Sequence, residues 1–267
     1  MSNGFVYWSD RVGGGVWRVP TAGGKPQRLA SGLDQPRWIV PAFGKLFVST
    51  EDHTISIPET GGAPRVVAPE RDTLALGSDG VYIANDLGRL IRVDAQGVVT
   101  EVADHLAQPL TMAVVGTTVI WTATDHGIWK LMRGQKPIRL AILPTESVIL
   151  AVHGEQAYVE AFDGQDLMAV PVGGGKSSAV LPALGETSSL TVDADGIWWT
   201  SMITNSVSGS SISHPTPHVM FDHQARATGI VTDRDALYWF TWQLGVPGHG
   251  RIMRAKKPSF ARASSDQ

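Results

Sequence analysis

Cysteine is absent from this chain of 267 residues, which excludes a disulfide framework and thiolate chemistry. No run of 18 apolar residues occurs either, so the sequence offers no transmembrane helix. Charged residues make up only 18% of the chain, and the net charge is −3. This balance gives no electrostatic case for nucleic acid or an anionic membrane, and we expect neither as a partner.

The first residues of the sequence do not have the features of a signal peptide. The first residues, MSNGFVYWSD, contain neither a basic segment nor an apolar run of signal length. We therefore expect a cytoplasmic protein, although a chain already trimmed of a signal peptide would have the same sequence.

Turn-forming residues, in contrast, are abundant. The chain contains 29 glycines and 16 prolines, and 43% of its residues are apolar, which indicates a turn-rich globular protein. No segment has the length and the 3.6-residue period of a core helix. We therefore expect an all-β fold.

An internal repeat runs along nearly the whole chain. Seven short apolar strands recur every 35 to 40 residues: VYWSD from Val6, LFVST from Leu46, VYIAN from Val81, VIWTA from Val119, AYVEA from Ala157, IWWTS from Ile197 and LYWFT from Leu237. Most are followed by a second strand, a Gly-rich turn and a third strand, and six are preceded by another apolar segment. Four short strands in each unit of about 40 residues are typical of β-propeller blades, which bury both faces by stacking.

The repeat predicts a β-propeller of four-stranded antiparallel blades, each about 38–40 residues long. Seven blades are favoured. Because the first blade has no inner strand ahead of Val6, six blades with an irregular closure are the alternative. We assign residues 1–257 to a single propeller domain and residues 258–267 to a polar tail that is either disordered or closes the ring.

The aromatic strands VYWSD, IWWTS and LYWFT carry a family resemblance. Followed by a strand that ends near arginine and by a Gly-Gly turn, they resemble the YWTD-type and NHL-type propellers and, more distantly, the virginiamycin B lyase propellers. The resemblance implies the fold, on which receptors, lyases, lactonases and scaffolds are all built. The lyases place histidine where the chain approaches an inner strand, and the matching positions here hold other residues: Arg37, Thr73, Leu110, Ser147, Ser188 and Thr228.

Propeller sites usually lie at one mouth of the central channel, where the loops of all blades converge. One position in the repeat differs in chemistry there. The fourth residue of the aromatic strand is small in most copies, as in Ser9 and Thr122, but in AYVEA it is Glu160. A carboxylate in such a position needs a partner, so we consider Glu160 a catalytic candidate, with Arg37, Arg71 or Arg226 as its possible partners. A structural ion pair that closes the channel is the alternative.

Two histidines occupy corresponding loops after aromatic strands, His53 in EDH and His126 in TDH. Either could act as a general acid or base at the mouth. A second group of histidines lies in the segment SHPTPHVMFDHQ. The prolines of this segment exclude a helix that would bring the histidines to one face, so we predict no metal site there. A divalent metal at the channel mouth stays a minor alternative to a site without cofactors.

Other candidates at the mouth would bind a ligand without reacting with it. The core tryptophans share one position of the aromatic strand, but Trp38 and Trp242 lie at other positions of the repeat. The loop after Trp242 is also much longer than the corresponding loops of most other blades. The full set predicted to bind ligand is Arg37, Trp38, Arg71, Asp72, Asp125, Arg226, Trp242 and His249.

Three functions are compatible with these residues. The first is a non-catalytic propeller that binds a small molecule or a peptide at the channel mouth. The second is a lyase or hydrolase acting on a cyclic or peptidic compound through Glu160, His53 or His126. The third is a scaffold for another protein, which would use a rim surface. We favour the first, because the sequence contains no recognisable catalytic constellation.

Overall fold

The computed structural model describes residues 1–69, 73–160, 166–182, 184–185, 187–242, 250–258 and 260. In that part of the chain, 26 strands form seven antiparallel sheets, and no helix occurs. The structure thus confirms the all-β prediction and favours seven blades over six. None of the described segments forms a helix suited to crossing a membrane.

The chain divides into two compact units, and the first, residues 1–148, contains four sheets. Sheet 1 consists of β1 (Phe5–Asp10), β2 (Gly15–Pro20) and β3 (Gln27–Ala30). Sheet 2 consists of β4 (Ile39–Ala42), β5 (Lys45–Ser49), β6 (Thr54–Pro58) and β7 (Arg65–Ala68). Sheet 3 consists of β8 (Thr73–Leu76), β9 (Val81–Ala84), β10 (Leu90–Val93) and β11 (Val99–Ala103). Sheet 4 consists of β12 (Pro109–Val115), β13 (Thr118–Ala123), β14 (Gly127–Leu131) and β15 (Ile138–Ile142).

The second unit, residues 149–267, contains the other three sheets. Sheet 5 consists of β16 (Ile149–His153), β17 (Gln156–Glu160), β18 (Leu167–Pro171) and β19 (Ser178–Leu181). Sheet 6 consists of β20 (Ser189–Val192), β21 (Ile197–Ser201), β22 (Ser206–Ser210) and β23 (His218–Phe221). Sheet 7 consists of β24 (Thr228–Thr232), β25 (Ala236–Thr241) and β26 (Arg251–Lys256).

Five sheets have four strands, which we name inner, aromatic, third and outer in chain order. Within the described residues sheet 1 has no inner strand and sheet 7 has no outer strand. The absence of an inner strand from the first blade was expected from the sequence. It coincides with greater exposure of the aromatic strand β1, whose Tyr7 and Trp8 are only partly buried, whereas β9 and β21 are buried along their whole length.

The core lies between consecutive sheets. In the first unit, Tyr82 and Leu90 of sheet 3 pack with Met112 and Trp121 of sheet 4. In the second unit, Tyr158 and Leu167 of sheet 5 pack with Trp199 of sheet 6. Because each blade buries apolar residues on both faces, its strands lack the polar alternation of a sheet that faces water on one side.

A β-bulge recurs between the third and the outer strand. All six sheets in which an outer strand is described show a register shift there, for example between Leu90 and Ile91 and between Val207 and Ser208. Bulges of this kind increase local twist and interrupt the ladder. The outer strands are the exposed edges of the blades, so the bulges make edge-to-edge pairing with another chain less favourable.

The chain after β26 packs back on sheet 6. Phe260 stacks on Trp198 with ring centroids 5.1 Å apart, and Lys257 Nζ lies 2.6 Å from Asp193 Oδ2. A Cβ at Gly209 would lie 3.3 Å from the Phe260 ring, so this glycine makes room for the aromatic side chain. Residues 259 and 261–267 lie outside the described part, and the division between a domain ending at 257 and a tail stays a prediction.

Candidate functional site

The candidate site lies at the end of sheet 7 where the aromatic strand β25 gives way to Trp242. The Trp242 N–H donates to the carbonyl of Ala225, 3.1 Å away, which joins this strand end to the segment that precedes β24. Asn205 holds that segment in turn, because its side-chain oxygen accepts the N–H of Arg226 at 2.8 Å. Arg226 has a φ of 47°, an uncommon conformation for a residue with a side chain.

A cavity of about 280 Å³ opens beside Trp242. This volume is near the lower limit for small-molecule pockets in proteins. Besides Trp242, the lining consists of His223, Gln224, Ala225, Thr241, Arg251 and Met253. These residues come from the approach to the inner strand, the end of the aromatic strand and the start of the third strand, so one sheet builds the whole described lining.

The Arg226 guanidinium stacks over the Trp242 ring, with 4.5 Å between the guanidinium carbon and the ring centroid. Such a cation–π contact restrains both side chains. Arg226 Nε is buried and has no hydrogen-bond partner among the described residues. A buried donor without a partner is costly, and the planar pair therefore keeps an unused hydrogen-bonding site.

The pocket rests on a second aromatic layer. Trp239 donates its indole N–H to Gln224 Oε1 at 3.1 Å and stacks on Phe221 at 5.2 Å between centroids. The amide of Gln224, which lines the cavity, is thereby fixed by a buried tryptophan. This packing fixes the position of the lining side chains. A ligand that bound here would therefore restrict little further side-chain freedom, which favours tight binding.

The charges around the cavity are mainly positive. Arg226 and Arg251 contribute two guanidiniums, and His223 Nε2 lies 3.6 Å from the carboxylate of Asp222, with both side chains largely exposed. An aromatic face flanked by guanidiniums suits a flat ligand that carries a negative group.

Other predicted ligand-binding residues lie in the first unit, at the start of sheet 2. Arg37 Nη2 lies 2.9 Å from Glu51 Oε2 in an exposed ion pair, and the Arg37 carbonyl accepts a hydrogen bond from Ser9. Trp38 donates its N–H to Ser49 Oγ at 3.0 Å and leaves 45% of its surface exposed. The structure thus brings Arg37 and Trp38 together, but the Arg37 guanidinium already has a carboxylate partner.

The two loop histidines occupy turns. The His53 carbonyl accepts both the N–H and the hydroxyl of Thr50, and His126 adopts a φ of 62°. Asp125, beside His126, accepts hydrogen bonds from the Gly127 N–H at 2.9 Å and from the Trp129 indole at 3.1 Å. The carboxylate of Asp125 therefore holds its own turn, and the ligand or catalytic roles of these residues stay predictions.

Glu160 ends the aromatic strand of sheet 5 and is 2% exposed. Its Oε1 accepts the N–H of Thr187, just before the inner strand of sheet 6, at 3.3 Å. Ser9 and Thr122, at the same position in the repeat, also bond to the segment before the next inner strand, but as donors to backbone carbonyls, at 2.6 and 2.5 Å. In these three copies the side chain bonds to the segment that precedes the next inner strand, which accounts for a polar residue there without any catalytic task.

Three predicted residues, Arg71, Asp72 and His249, lie outside the described part of the chain. Several described lining residues were not predicted, above all His223, Gln224 and Arg251. The repeat contained a signal for them, because they belong to the segments that approach the inner strand and follow the enlarged break of the last blade. Among the described residues, no three metal-ligating side chains gather into one group.

No protein-family model and no curated protein sequence matches the chain. Solved structures do match. A computationally designed protein, Ika8, superposes with a TM-score of 0.69 at 13% identity, covering 90% of this chain and 79% of the designed one. A chain of a nidogen/laminin complex superposes with a TM-score of 0.60 at 14% identity, covering 84% of this chain and 95% of its own length. The fold is a seven-bladed β-propeller. At these identities the likeness extends to the fold alone, and this propeller is compatible with a binding or scaffold role.

Proposed function

We propose that this propeller binds a small molecule or a short peptide in the Trp242 pocket and does not transform it. The observation that carries the proposal is the Arg226–Trp242 pair beside a cavity of about 280 Å³. The ligand we expect is flat or has an aromatic side chain. It carries a carboxylate or another negative group, to which Arg226 or Arg251 can donate hydrogen bonds.

The enzyme alternative depends on Glu160, His53 or His126. The Glu160 carboxylate accepts the Thr187 N–H, and the described geometry around it follows the structural pattern of the repeat. A binding function needs no such group to be available, so it accounts for the described residues with fewer assumptions.

A ligand screen tests the proposal directly. Ligand-observed NMR with aromatic carboxylates and short acidic peptides containing tryptophan or tyrosine should find binders for the unaltered protein. Trp242→Ala should weaken them by about threefold to thirtyfold, since aromatic and cation–π contacts of this kind contribute about 0.5–2 kcal/mol. Trp38→Ala is the matched control, because Trp38 is also partly exposed and lies at the start of a different sheet. Equal affinities in both variants would contradict the proposal.

A scaffold role is the second candidate, supported by a different observation. Val12 and Leu87, at the tips of corresponding loops in sheets 1 and 3, are 100% and 79% exposed. Contiguous exposed apolar patches mark protein contacts, and in this second candidate the two loop tips contribute to such a patch; a chain of this fold occurs in the nidogen/laminin complex. A Val12→Ser, Leu87→Ser variant should lose a purified protein partner while keeping the small-ligand binders, and a Trp242→Ala variant should do the reverse.

A further inference from the structure

A second cavity lies in the first unit, between sheets 3 and 4. Its volume is about 190 Å³, and its polar lining comes from Tyr82, Arg92, Thr100, Thr117 and Arg133. Tyr82 and Arg92 belong to β9 and β10, whereas Thr117 and Arg133 lie in turns of sheet 4. Two neighbouring blades thus contribute hydrogen-bond donors to one small space.

Arg92 has more hydrogen-bonding capacity than its described neighbours use. Its side chain is only 13% exposed, and Nη1 donates to Asp79 Oδ2 at 2.7 Å. Nε of the same guanidinium is buried without a hydrogen-bond partner among the described residues. Since buried charged donors in native proteins are nearly always satisfied, an unused one calls for an ion or a water molecule.

The charges beside this cavity do not cancel. Asp79 accepts the Tyr82 hydroxyl at 2.9 Å and Arg92 at 2.7 Å, and its Oδ2 also lies 3.4 Å from Arg133 Nη2. One carboxylate therefore faces two guanidiniums. Glu101, also in the lining, forms its own ion pair with Arg89 at 3.0 Å. Among the described residues, the guanidiniums that face Asp79 thus outnumber its carboxylate by one.

The corresponding strands of sheet 7 carry a similar group of tyrosine, aspartate and arginine, which differs from the cluster in sheet 3. There Tyr238 donates to Asp233 at 2.7 Å, and Arg254 Nε donates to the Tyr238 hydroxyl at 3.2 Å. That arrangement has one guanidinium for one carboxylate, and its Arg254 Nε has a partner. In sheet 3 the Nε is unused, and Arg133 from the neighbouring blade adds a second guanidinium.

The surrounding backbone leaves room for these side chains. A Cβ at Gly80 would come within 2.7 Å of Arg92 Cγ, and a Cβ at Gly77 within 2.7 Å of the Tyr82 ring. Neither glycine has a positive φ, so the requirement is for space and not for an unusual backbone conformation. The turn that carries Asp79 is thus shaped around the tyrosine and the arginine.

We propose that this cavity binds one phosphate group, held by Arg92 and Arg133 with the threonine hydroxyls completing its shell. A tetrahedral oxyanion accepts hydrogen bonds in several directions, which suits a lining with two guanidiniums and two threonine hydroxyls from two neighbouring blades. The volume admits a phosphate group with at most a short organic substituent. The source is either free phosphate or a small phosphomonoester. The site lies in a different unit from the Trp242 pocket and does not depend on the function proposed there.

The test is a titration of the full chain with inorganic phosphate and, separately, with glycerol 3-phosphate, followed by calorimetry at low ionic strength. We expect one site per chain. Arg133→Met should weaken phosphate binding by about tenfold or more, because charge-assisted hydrogen bonds to arginine are among the strongest in proteins. Arg133 is 60% exposed, so its replacement should leave the fold intact, which circular dichroism will verify.

The control is Arg139→Met, an equally simple removal of a partly exposed arginine in the same sheet, where Arg139 lies 4.0 Å from Asp125 and over Trp129. Unchanged binding in this variant and loss in Arg133→Met would support the site. Binding of phosphate alone would assign it to the free ion, and binding of both probes to a phosphomonoester. No measurable binding, equal loss in the two variants, or equal binding of acetate would overturn the proposal.

Discussion

Glu160 is the residue for which sequence and structure suggest different roles, and stability measurements separate them. Glu160→Gln keeps an oxygen at Oε1 for the Thr187 N–H and should therefore lower the free energy of unfolding less than Glu160→Leu does. Glu160→Leu removes the acceptor and should lower the free energy of unfolding by about 1 kcal/mol or more, because a partly buried N–H is left unsatisfied. Urea denaturation measures both.

The corresponding residue in sheet 4 serves as a comparison. Thr122→Val removes the hydroxyl that donates to the Ser147 carbonyl, and it should also destabilise by about 1 kcal/mol. If Thr122→Val lowered the free energy of unfolding and Glu160→Leu did not, the assignment of a structural role to Glu160 would be wrong. A loss of turnover in Glu160→Gln, should an activity be found, would instead favour the catalytic prediction.

Gly209 tests the packing of the chain end on sheet 6. A Cβ at this position would lie 2.5 Å from the Trp198 ring and 3.3 Å from that of Phe260. Gly209→Ala should therefore destabilise the protein by about 1–3 kcal/mol through overpacking. Gly173→Ala is the control, because no atom lies within 4 Å of its Cβ position and its φ is not positive. Thermal unfolding should give a lower Tm for Gly209→Ala alone.

At the scale of elements, Lys257 joins the end of β26 to the turn before β21. Burial works to raise the pKa of Asp193, but hydrogen bonds from Lys257, Thr232 and Trp198 outweigh it and hold that pKa below its ordinary value. Burial works to lower the pKa of Lys257, but Asp193 and Asp195 outweigh it and raise that pKa. The ion pair thus favours the charged form of both partners.

The pH dependence of this ion pair follows from those directions. A depressed carboxyl pKa adds stability above its unfolded value of 3.8, and that stability is lost as pH falls through the folded pKa. A raised lysine pKa adds stability below 10.5, which is lost as pH rises through the folded pKa. The difference in unfolding free energy between the unaltered protein and Lys257→Met should therefore be widest from about pH 5 to 10 and shrink at both extremes.

Lys256→Met provides the matched control, because Lys256 is the preceding residue and is exposed. Its loss should change the free energy of unfolding little and without this pH profile. A pH-independent difference for Lys257→Met would show that the methylene packing of Lys257 matters and that its charge does not.

The strands themselves were largely predictable, for a physical reason. The repeat places IWWTS at Ile197, where β21 runs from Ile197 to Ser201, and VYIAN at Val81, where β9 begins. Buried strands flanked by glycine turns are determined locally, by apolar side chains and turn chemistry. The bulges before the outer strands were not predicted, because they depend on pairing between strands and leave little trace in a single segment.

At the scale of the molecule, the site was predictable only in part. Trp242 and Arg226 were both expected to bind ligand, from their places in the repeat, and they do lie together. Their stacking could not be foreseen, because it depends on the turn held by Asn205. The phosphate cavity was missed for the same reason: Arg92 and Arg133 are ordinary strand and turn residues until two blades bring them to one carboxylate.

The two proposed sites should be energetically independent. The Trp242 pocket belongs to the second compact unit and the phosphate cavity to the first, and no described residue lines both. Free energies of substitutions that share no partners usually add within about 0.5 kcal/mol. Phosphate should therefore raise the Tm of Trp242→Ala as much as that of the unaltered protein, and Arg133→Met should keep the Trp242-dependent binders. A change of more than about threefold in their affinity on adding phosphate would reveal coupling, and would require a conformational link between the units.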